Sequence, residues 1–299
     1  MRILVTGSSG LLGAAVVREL RGVHDVVGLD LSAADTTTHT GSVTDRELVF
    51  DLMRGGIDAV VHTASLHAAH LESHSPQDFV ETNIHGTMNL LAAAVRSGVK
   101  RVVYTSTTSL YGHAMESREQ AVWVTEELPP RPRDVYDVTK IAAEHLCAVA
   151  SRRHGITCLS LRVSRFFPEP QRLIAIYRLY RGVDLRDAVT AHAMALTAPV
   201  RGYDAFNISA KTPFTRDQVW RLKHAPEKLL RAMFPWIEGA FARRDWALPD
   251  SIDRVYVTER AEQVLDYRPR YGLVQYLQEL GDDVLRTPHK PDEPDTLWP

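Results

Sequence analysis

A doubly wound, parallel α/β sheet followed by a smaller, mostly helical lobe is the fold class predicted for this chain, and three observations predict it. The run Arg2 to Thr6 is apolar and β-branched after its first residue, as for a strand buried on both faces, and leads straight into glycines at 7, 10 and 13. Short apolar runs then alternate with amphipathic helical patterns through about residue 163. Beyond Arg165–Pro170, where two prolines and the residues before them force extended backbone, the pattern becomes irregular and more helical.

The elements follow in order. Leu11, Leu12, Ala15, Val16 and Leu20 mark a first helix, and Asp25 to Leu29 a second strand ending at Asp30. A polar stretch from Ser32 to Thr44 precedes a helix near Asp45 to Met53 and a buried strand Ala59 to Ala64. Ser75 and Pro76 read as an N-cap and a first-turn proline opening one long helix that ends near Gly98. Arg101 to Thr105 is the next strand, and residues 105–109 put five hydroxyls at its ligand-facing end. Glu116 to Arg133 reads as a long surface or active-site loop. A helix from Tyr136 to His154 with Gly155 as its C-cap, a strand Ile156 to Val163, a helix near Leu185 to Leu196, a strand Ala205 to Ile208 and several helices between Arg216 and Gly281 complete the reading. The proline-rich tail is expected to be disordered. The boundaries are thus 1–163 for a cofactor domain, 164–285 for a substrate lobe and 286–299 for the tail.

The glycines carry the first functional reading. Gly7 permits a tight turn, Gly10 lets backbone approach a pyrophosphate, and Gly13 lets helix pack on strand, while the helix N-terminus beginning at Leu11 and Leu12 faces an anion. Asp30 stands 17 residues after Gly13, near where an acid accepts hydrogen bonds from ribose hydroxyls, and its charge repels a 2′-phosphate. Leu31 and Ser32 offer no cation to reverse that preference, so the expected cofactor is NAD. The phosphate-loop alternative fails for want of Gly-Lys-Ser/Thr.

Composition bounds the remainder. A formal charge of −2 over 299 residues gives no basic surplus for nucleic acid or anionic membrane, so neither partner is expected. No apolar run approaches a spanning helix, and the first strand starts at the first methionine, so a cytoplasmic location is expected. Cys147 and Cys158 read as small buried apolar residues. His70 and His74 flank Glu72 at helical spacing without H-E-x-x-H, and no metal is expected.

Tyr136 and Lys140 are four apart, hence on one helix face. A free tyrosine titrates near pH 10, so acting as a base near neutrality needs a depression of about 4 kcal/mol. An ammonium about 4 Å away at an effective dielectric of about 20 supplies a term of that order, so Lys140 is expected to tune Tyr136 as general base or acid. A surface Tyr/Lys pair is the alternative; its place after a nucleotide-binding pattern and a hydroxyl-rich strand end weighs against it.

At these residues the chain resembles the extended short-chain dehydrogenase/reductases, the NAD-dependent epimerase/dehydratase family, whose core is a Rossmann sheet. The matching pieces are TGSSGLLG, Asp30, HTAS at 62–65, Asn83-Ile84-His85-Gly86-Thr87, TSTTSLYG at 105–112 and YDVTK at 136–140. The resemblance implies that Thr107 hydrogen-bonds the reacting substrate oxygen, with Ser106 as the alternative, that Tyr136 and Lys140 complete the catalytic set while contacting the cofactor, that Thr63 and Ala64 line the cofactor and that Asn83 supports it. It also implies a homodimer built on the helices at Pro76–Ser97 and Tyr136–His154.

Departures narrow the activity. Thr108-Ser109 stands where the dTDP-glucose 4,6-dehydratases have Asp-Glu, which disfavours dehydration; Ser42 replaces an adenine-binding aspartate, and His67 a cofactor-contacting lysine of the UDP-galactose 4-epimerases. Arg165 replaces an asparagine, and the connection from Pro170 to Tyr177 lacks the length that clasps a nucleotide. A Phe-Pro-Glu-Pro segment with so short a connection is similar to the uronate dehydrogenases, which implies that His67, Ser106, Thr107, Thr108, Ser164 and Arg178 border the substrate, Arg178 pairing with a carboxylate. The expected activity is NAD-dependent oxidation of a hydroxyl on a small sugar or sugar acid. Nucleotide-sugar 4-epimerisation with retained NAD and a non-catalytic NAD-binding sensor are the alternatives. The aromatics between Arg216 and Asp250 are expected to form a core or dimer surface, with a cover over the substrate as the other reading.

Overall fold

The computed structural model describes residues 1–282; the expected disordered tail at 286–299 lies outside them. In chain order the elements are β1 (Arg2–Thr6), α1 (Leu11–Leu20), β2 (Asp25–Asp30), β3 (His39–Thr40), α2 (Arg46–Arg54), β4 (Ala59–His62), α3 (Pro76–Phe79), a π turn (Val80–His85), α4 (Gly86–Arg96) and β5 (Arg101–Thr107). Then come β6 (Val122–Val124), α5 (Val135–His154), β7 (Thr157–Val163), α6 (Gln171–Tyr177), α7 (Leu185–Thr197), β8 (Tyr203–Ile208), α8 (Val219–His224), α9 (Pro226–Met233), α10 (Ile237–Ala242), β9 (Arg254–Tyr256), α11 (Glu259–Leu265) and α12 (Leu273–Glu279).

Seven strands pair in parallel in the order β3-β2-β1-β4-β5-β7-β8. The order reverses direction between β1 and β4, where Thr6 lies opposite His62, so the chain after each strand diverges there and opens a crevice at the carboxyl ends. Alternation along β1 sends Ile3 and Val5 into one buried cluster, with α1, α7 and α11, and Leu4 into the other, with α2, α4 and α5. A third cluster is the helical lobe, where Phe234, Phe241, Leu222 and Leu230 pack with Ala175 and Ile176 of α6 and Val255 of β9. The aromatics of 216–250 are therefore mainly core, apart from Trp220, which is 60% exposed.

Three expectations change. The sheet does not end at residue 163: β8 pairs with β7 over Cys158–Val163 and Tyr203–Ile208, so the lobe is built from segments on either side of the last strand. The connection 116–133 is not a bare loop, because β6 pairs in parallel with β9 to form a second sheet tying it to the lobe. The long helix after Ser75 is interrupted by the π turn, whose wider backbone carries Asn83 inward. Within the polar stretch after Asp30, short β3 pairs with β2 at the sheet edge.

Candidate active site

The first strand turn is fixed by contact. Gly7 has φ +72°, and a Cβ there would lie 2.7 Å from the Ala64 nitrogen; one on Gly13 would lie 2.0 Å from the Gly7 carbonyl oxygen. At Gly10 an added Cβ meets the Gly7 carbonyl oxygen at 3.3 Å and nothing else within 4 Å, leaving room on the cleft side. Asp30 stands at the end of β2, where its carboxylate accepts from the backbone N–H groups of Ser9 and Ser32, each at 2.9 Å. Gly7, Gly10, Leu11, Leu12, Gly13, Asp30, Thr63 and Ala64 all line one cleft of about 820 Å³. An open glycine turn at a helix start, with a fixed acid on the next strand, fits a dinucleotide.

The other end of the same cleft is lined by Ser106, Thr107, Thr108, Tyr136, Lys140, Ser164 and His67. Asp134 caps α5 by accepting from the Asp137 N–H at 2.9 Å, which sets Tyr136 in the first turn and Lys140 one turn later on the same face. Lys140 is buried; its Nζ donates to the Thr105 carbonyl at 2.7 Å and lies 4.4 Å from the Tyr104 ring centroid. Thr107 ends β5 beside Tyr136 in the cleft, its Oγ1 accepting from the Ser109 N–H at 3.0 Å. Ser106 donates instead to Glu144 at 2.6 Å within the buried interior, so its hydroxyl is already committed, whereas the Thr107 hydroxyl is not held by a carboxylate.

Burial dominates the electrostatics. It pushes Tyr136 up to about 12 against the opposing influence of the Thr107 side chain, and brings Lys140 down to about 7 against the Glu144 carboxylate. The expected depression of Tyr136 by Lys140 is thus not present in this arrangement, because the ammonium is turned to the Thr105 carbonyl. His67, 6.3 Å from the Tyr136 ring and 6.2 Å from Phe167, is lowered to about 4 by burial and by Lys140, so it faces the cleft as a neutral imidazole at ordinary pH. Its backbone N–H donates to His70 Nδ1 at 2.9 Å.

Two residues expected at the site stand elsewhere. Asn83 does not line the cleft; from the π turn its side chain accepts from the Leu66 N–H at 2.8 Å and donates to the Leu66 carbonyl at 3.1 Å and to Thr139 at 3.0 Å. It fixes the loop that carries His67. Arg178 also misses the cleft, because the end of α6 turns it into the lobe: it donates to the Tyr271 carbonyl at 2.6 Å and to Asp184 at 2.8 Å. Three residues on, Arg181 does line the cleft, and its buried Nε has no hydrogen-bond partner among the described residues.

Sequence reasoning missed Arg133, Arg181, Arg254 and Tyr256 as cleft residues; Arg165, Phe166 and Phe167 line it from the proline-rich segment. Arg254 and Tyr256 reach it through the pairing of β9 with β6, which no local signal announces. Among the described residues, none of 216–250 lines the cleft, and no helix is long and apolar enough to cross a membrane.

A UDP-glucose 4-epimerase of Streptomyces lividans is 29% identical over 171 residues, 54% of this chain and 50% of that protein. A uronate dehydrogenase of Pseudomonas putida is 28% identical over 179 residues, 58% of this chain and 63% of that protein, so the likeness spans about half to under two thirds of either relative. A crystal structure of a short-chain dehydrogenase/reductase superfamily protein from Agrobacterium tumefaciens with bound NAD shares the fold, with a TM-score of 0.70 and 22% identity over 96% of this chain and 97% of that one. Residues 3–174 match the NAD dependent epimerase/dehydratase family, and with the glycine turn, Asp30 and the Tyr136–Lys140 helix in one cleft, the chain belongs to that family.

Proposed function

We propose that the chain oxidises a hydroxyl of a small sugar or sugar acid to a carbonyl. The observation that carries this reading is that Thr107, Tyr136 and, one helical turn on, Lys140 line the end of a cleft whose other end fits the dinucleotide. In the proposed reaction NAD, when bound, supplies the acceptor for the hydride leaving the substrate carbon. Thr107 holds the substrate oxygen, and Tyr136 takes its proton. Lys140, one helical turn on, holds ribose hydroxyls. Asp30 takes the adenosine ribose, Thr63 and Ala64 border the cofactor, and His67, Thr108 and Ser164 border the substrate. Arg181 replaces Arg178 as the cation for a substrate anion.

Cleft size supports a small substrate. About 820 Å³ lies within the range of a single ligand site, and here the dinucleotide takes its share first. Nucleotide-sugar 4-epimerisation is the second reading, favoured by the similarity to the Streptomyces lividans epimerase. Incubation with NAD and a panel of free aldoses, uronates and UDP-sugars, followed by NADH absorbance and product analysis, separates the two. NADH released in step with a free sugar acid supports oxidation; a UDP-sugar epimer formed without net NADH overturns it.

The proposed partner is a second copy of the chain. Helices α4 and α5 share one sheet face and present Met88, Val138 and Val149 to solvent at 47%, 49% and 38% exposure. Burying those side chains across a twofold axis is favourable at roughly 25 cal/mol per Å² of apolar surface. Light scattering at micromolar concentration is expected to give twice the 33.5 kDa chain mass; a monomer refutes the pairing.

A further inference from the structure

We infer that Arg133 is a positioning residue: by bridging Asp137 on α5 and Ser109 beyond β5, its guanidinium sets the spacing between the Tyr136 and Thr107 hydroxyls; this rests on the sugar-oxidising reading above. The two hydroxyls come from different elements, Thr107 from the end of β5 and Tyr136 from the first turn of α5, with the whole connection 108–134 between them. In the proposed reaction both must meet one substrate oxygen.

A series of short contacts closes the gap. The Ser109 N–H donates to Thr107 Oγ1 at 3.0 Å. Arg133 Nη2 donates to Ser109 Oγ at 2.7 Å and to the Ser109 carbonyl at 3.3 Å. Arg133 Nε and its backbone N–H both donate to Asp137 Oδ2, at 3.2 and 3.1 Å. Asp137 follows Tyr136 directly, and its own N–H is fixed by the Asp134 cap at 2.9 Å.

The bridge needs a fork. Nε and Nη2 lie in one rigid plane, so a guanidinium holds its two partners at a set distance, which an ammonium cannot do. The Asp137 side chain is fully buried and its Oδ1 has no hydrogen-bond partner among the described residues, so the orientation of that carboxylate rests on Arg133. At the other end, the Ser109 N–H occupies a lone pair of Thr107 Oγ1 and leaves the Thr107 O–H to donate to the substrate oxygen whose proton Tyr136 takes. Moving Ser109 therefore turns Thr107. The main chain docks the two segments independently, the His113 N–H donating to the Arg131 carbonyl at 2.8 Å and the Arg131 N–H to the Tyr111 carbonyl at 3.3 Å. The guanidinium thus adjusts the spacing within a joint that already exists. A misplacement of about 1 Å costs a reaction about 10²-fold.

The test is steady-state oxidation by the full chain with NAD saturating, using the sugar of the panel above that gives the fastest NADH release. Arg133→Ala, Arg133→Lys and Ser109→Ala are compared with the natural chain, and NAD titration and thermal melts are run on each. Arg133→Ala is expected to lower kcat about a hundredfold and Ser109→Ala about tenfold, with KM and NAD affinity held to within about twofold. Arg133→Lys is expected to recover the melting temperature lost in Arg133→Ala, because its ammonium still pairs with Asp137, and to leave kcat low. Natural kcat in Arg133→Lys would mean that the charge pair alone matters; a raised KM at unchanged kcat would mean that the guanidinium meets substrate directly. Either result overturns the inference, as does natural kcat in Ser109→Ala together with Arg133→Ala. Failure of the underlying reading shows elsewhere, as no NADH from any panel sugar with the natural chain or as turnover retained by Tyr136→Phe, and it overturns the inference with it.

Discussion

Tyr136→Phe should lower turnover by about 10² to 10⁴-fold while leaving NAD affinity nearly unchanged, because the substitution removes the one transferable proton and keeps the ring that packs beside His67. Lys140→Ala should damage both quantities, since its buried ammonium is placed to serve the cofactor end and the reacting end of the cleft together. The sign of the pH dependence follows from burial. Tyr136 is pushed up to about 12, so below that pH each unit of alkalinity raises the tyrosinate fraction tenfold, and oxidation should climb with pH through the neutral and alkaline range. Steady-state rates with a turned-over sugar, from pH 6 to 10, measure this. A flat profile would remove Tyr136 as the base, and full turnover in Tyr136→Phe would remove it from the mechanism. A protein that binds NAD as a signal alone would show neither effect.

The parts of the site legible in the sequence are those made by neighbours along the chain. Gly7, Gly10 and Gly13 sit within one strand-turn-helix, and the acid at Asp30 ends the next strand, so local spacing suffices to bring them together. Tyr136 and Lys140 share a helix face for the same reason. Positions fixed by distant pairing were not legible: Arg254 and Tyr256 reach the cleft because Val122–Val124 pairs with Arg254–Tyr256, more than a hundred residues on. Arg178 and Arg181 differ by three positions, and the end of α6 decides which enters the lobe and which the cleft. Asn83 reaches Leu66 through a π turn whose extra residue breaks ordinary helical periodicity.

The other large expected effect lies beneath the site, at Glu144. Its carboxylate accepts from Arg162 Nε at 3.0 Å and from the far guanidinium nitrogen at 2.8 Å, and also from Ser106 at 2.6 Å, with side-chain exposures of 5% for Glu144 and 10% for Arg162. Arg162 in turn donates to the Tyr111 hydroxyl at 3.0 Å, and that hydroxyl donates to Asn207 at 2.7 Å, so the pair links α5, β7 and β8 under the end of β5. Glu144→Gln leaves the Arg162 charge buried without its counter-charge, which costs about 3–5 kcal/mol of stability. In a chain of this size that is a fall of roughly 5–8 °C in Tm, read by thermal melts at neutral pH. Glu144→Leu combined with Arg162→Met should recover much of the loss, since the double change removes both charges rather than stranding one. The same variant carries a functional sign. Glu144 holds the proton on Lys140 against burial, so in Glu144→Gln the ammonium should be lost at lower pH, and the pH profile of NAD affinity should move in that direction. A loss under about 1 kcal/mol in Glu144→Gln, with that profile unmoved, would mean that neither the fold nor Lys140 depends on the pair.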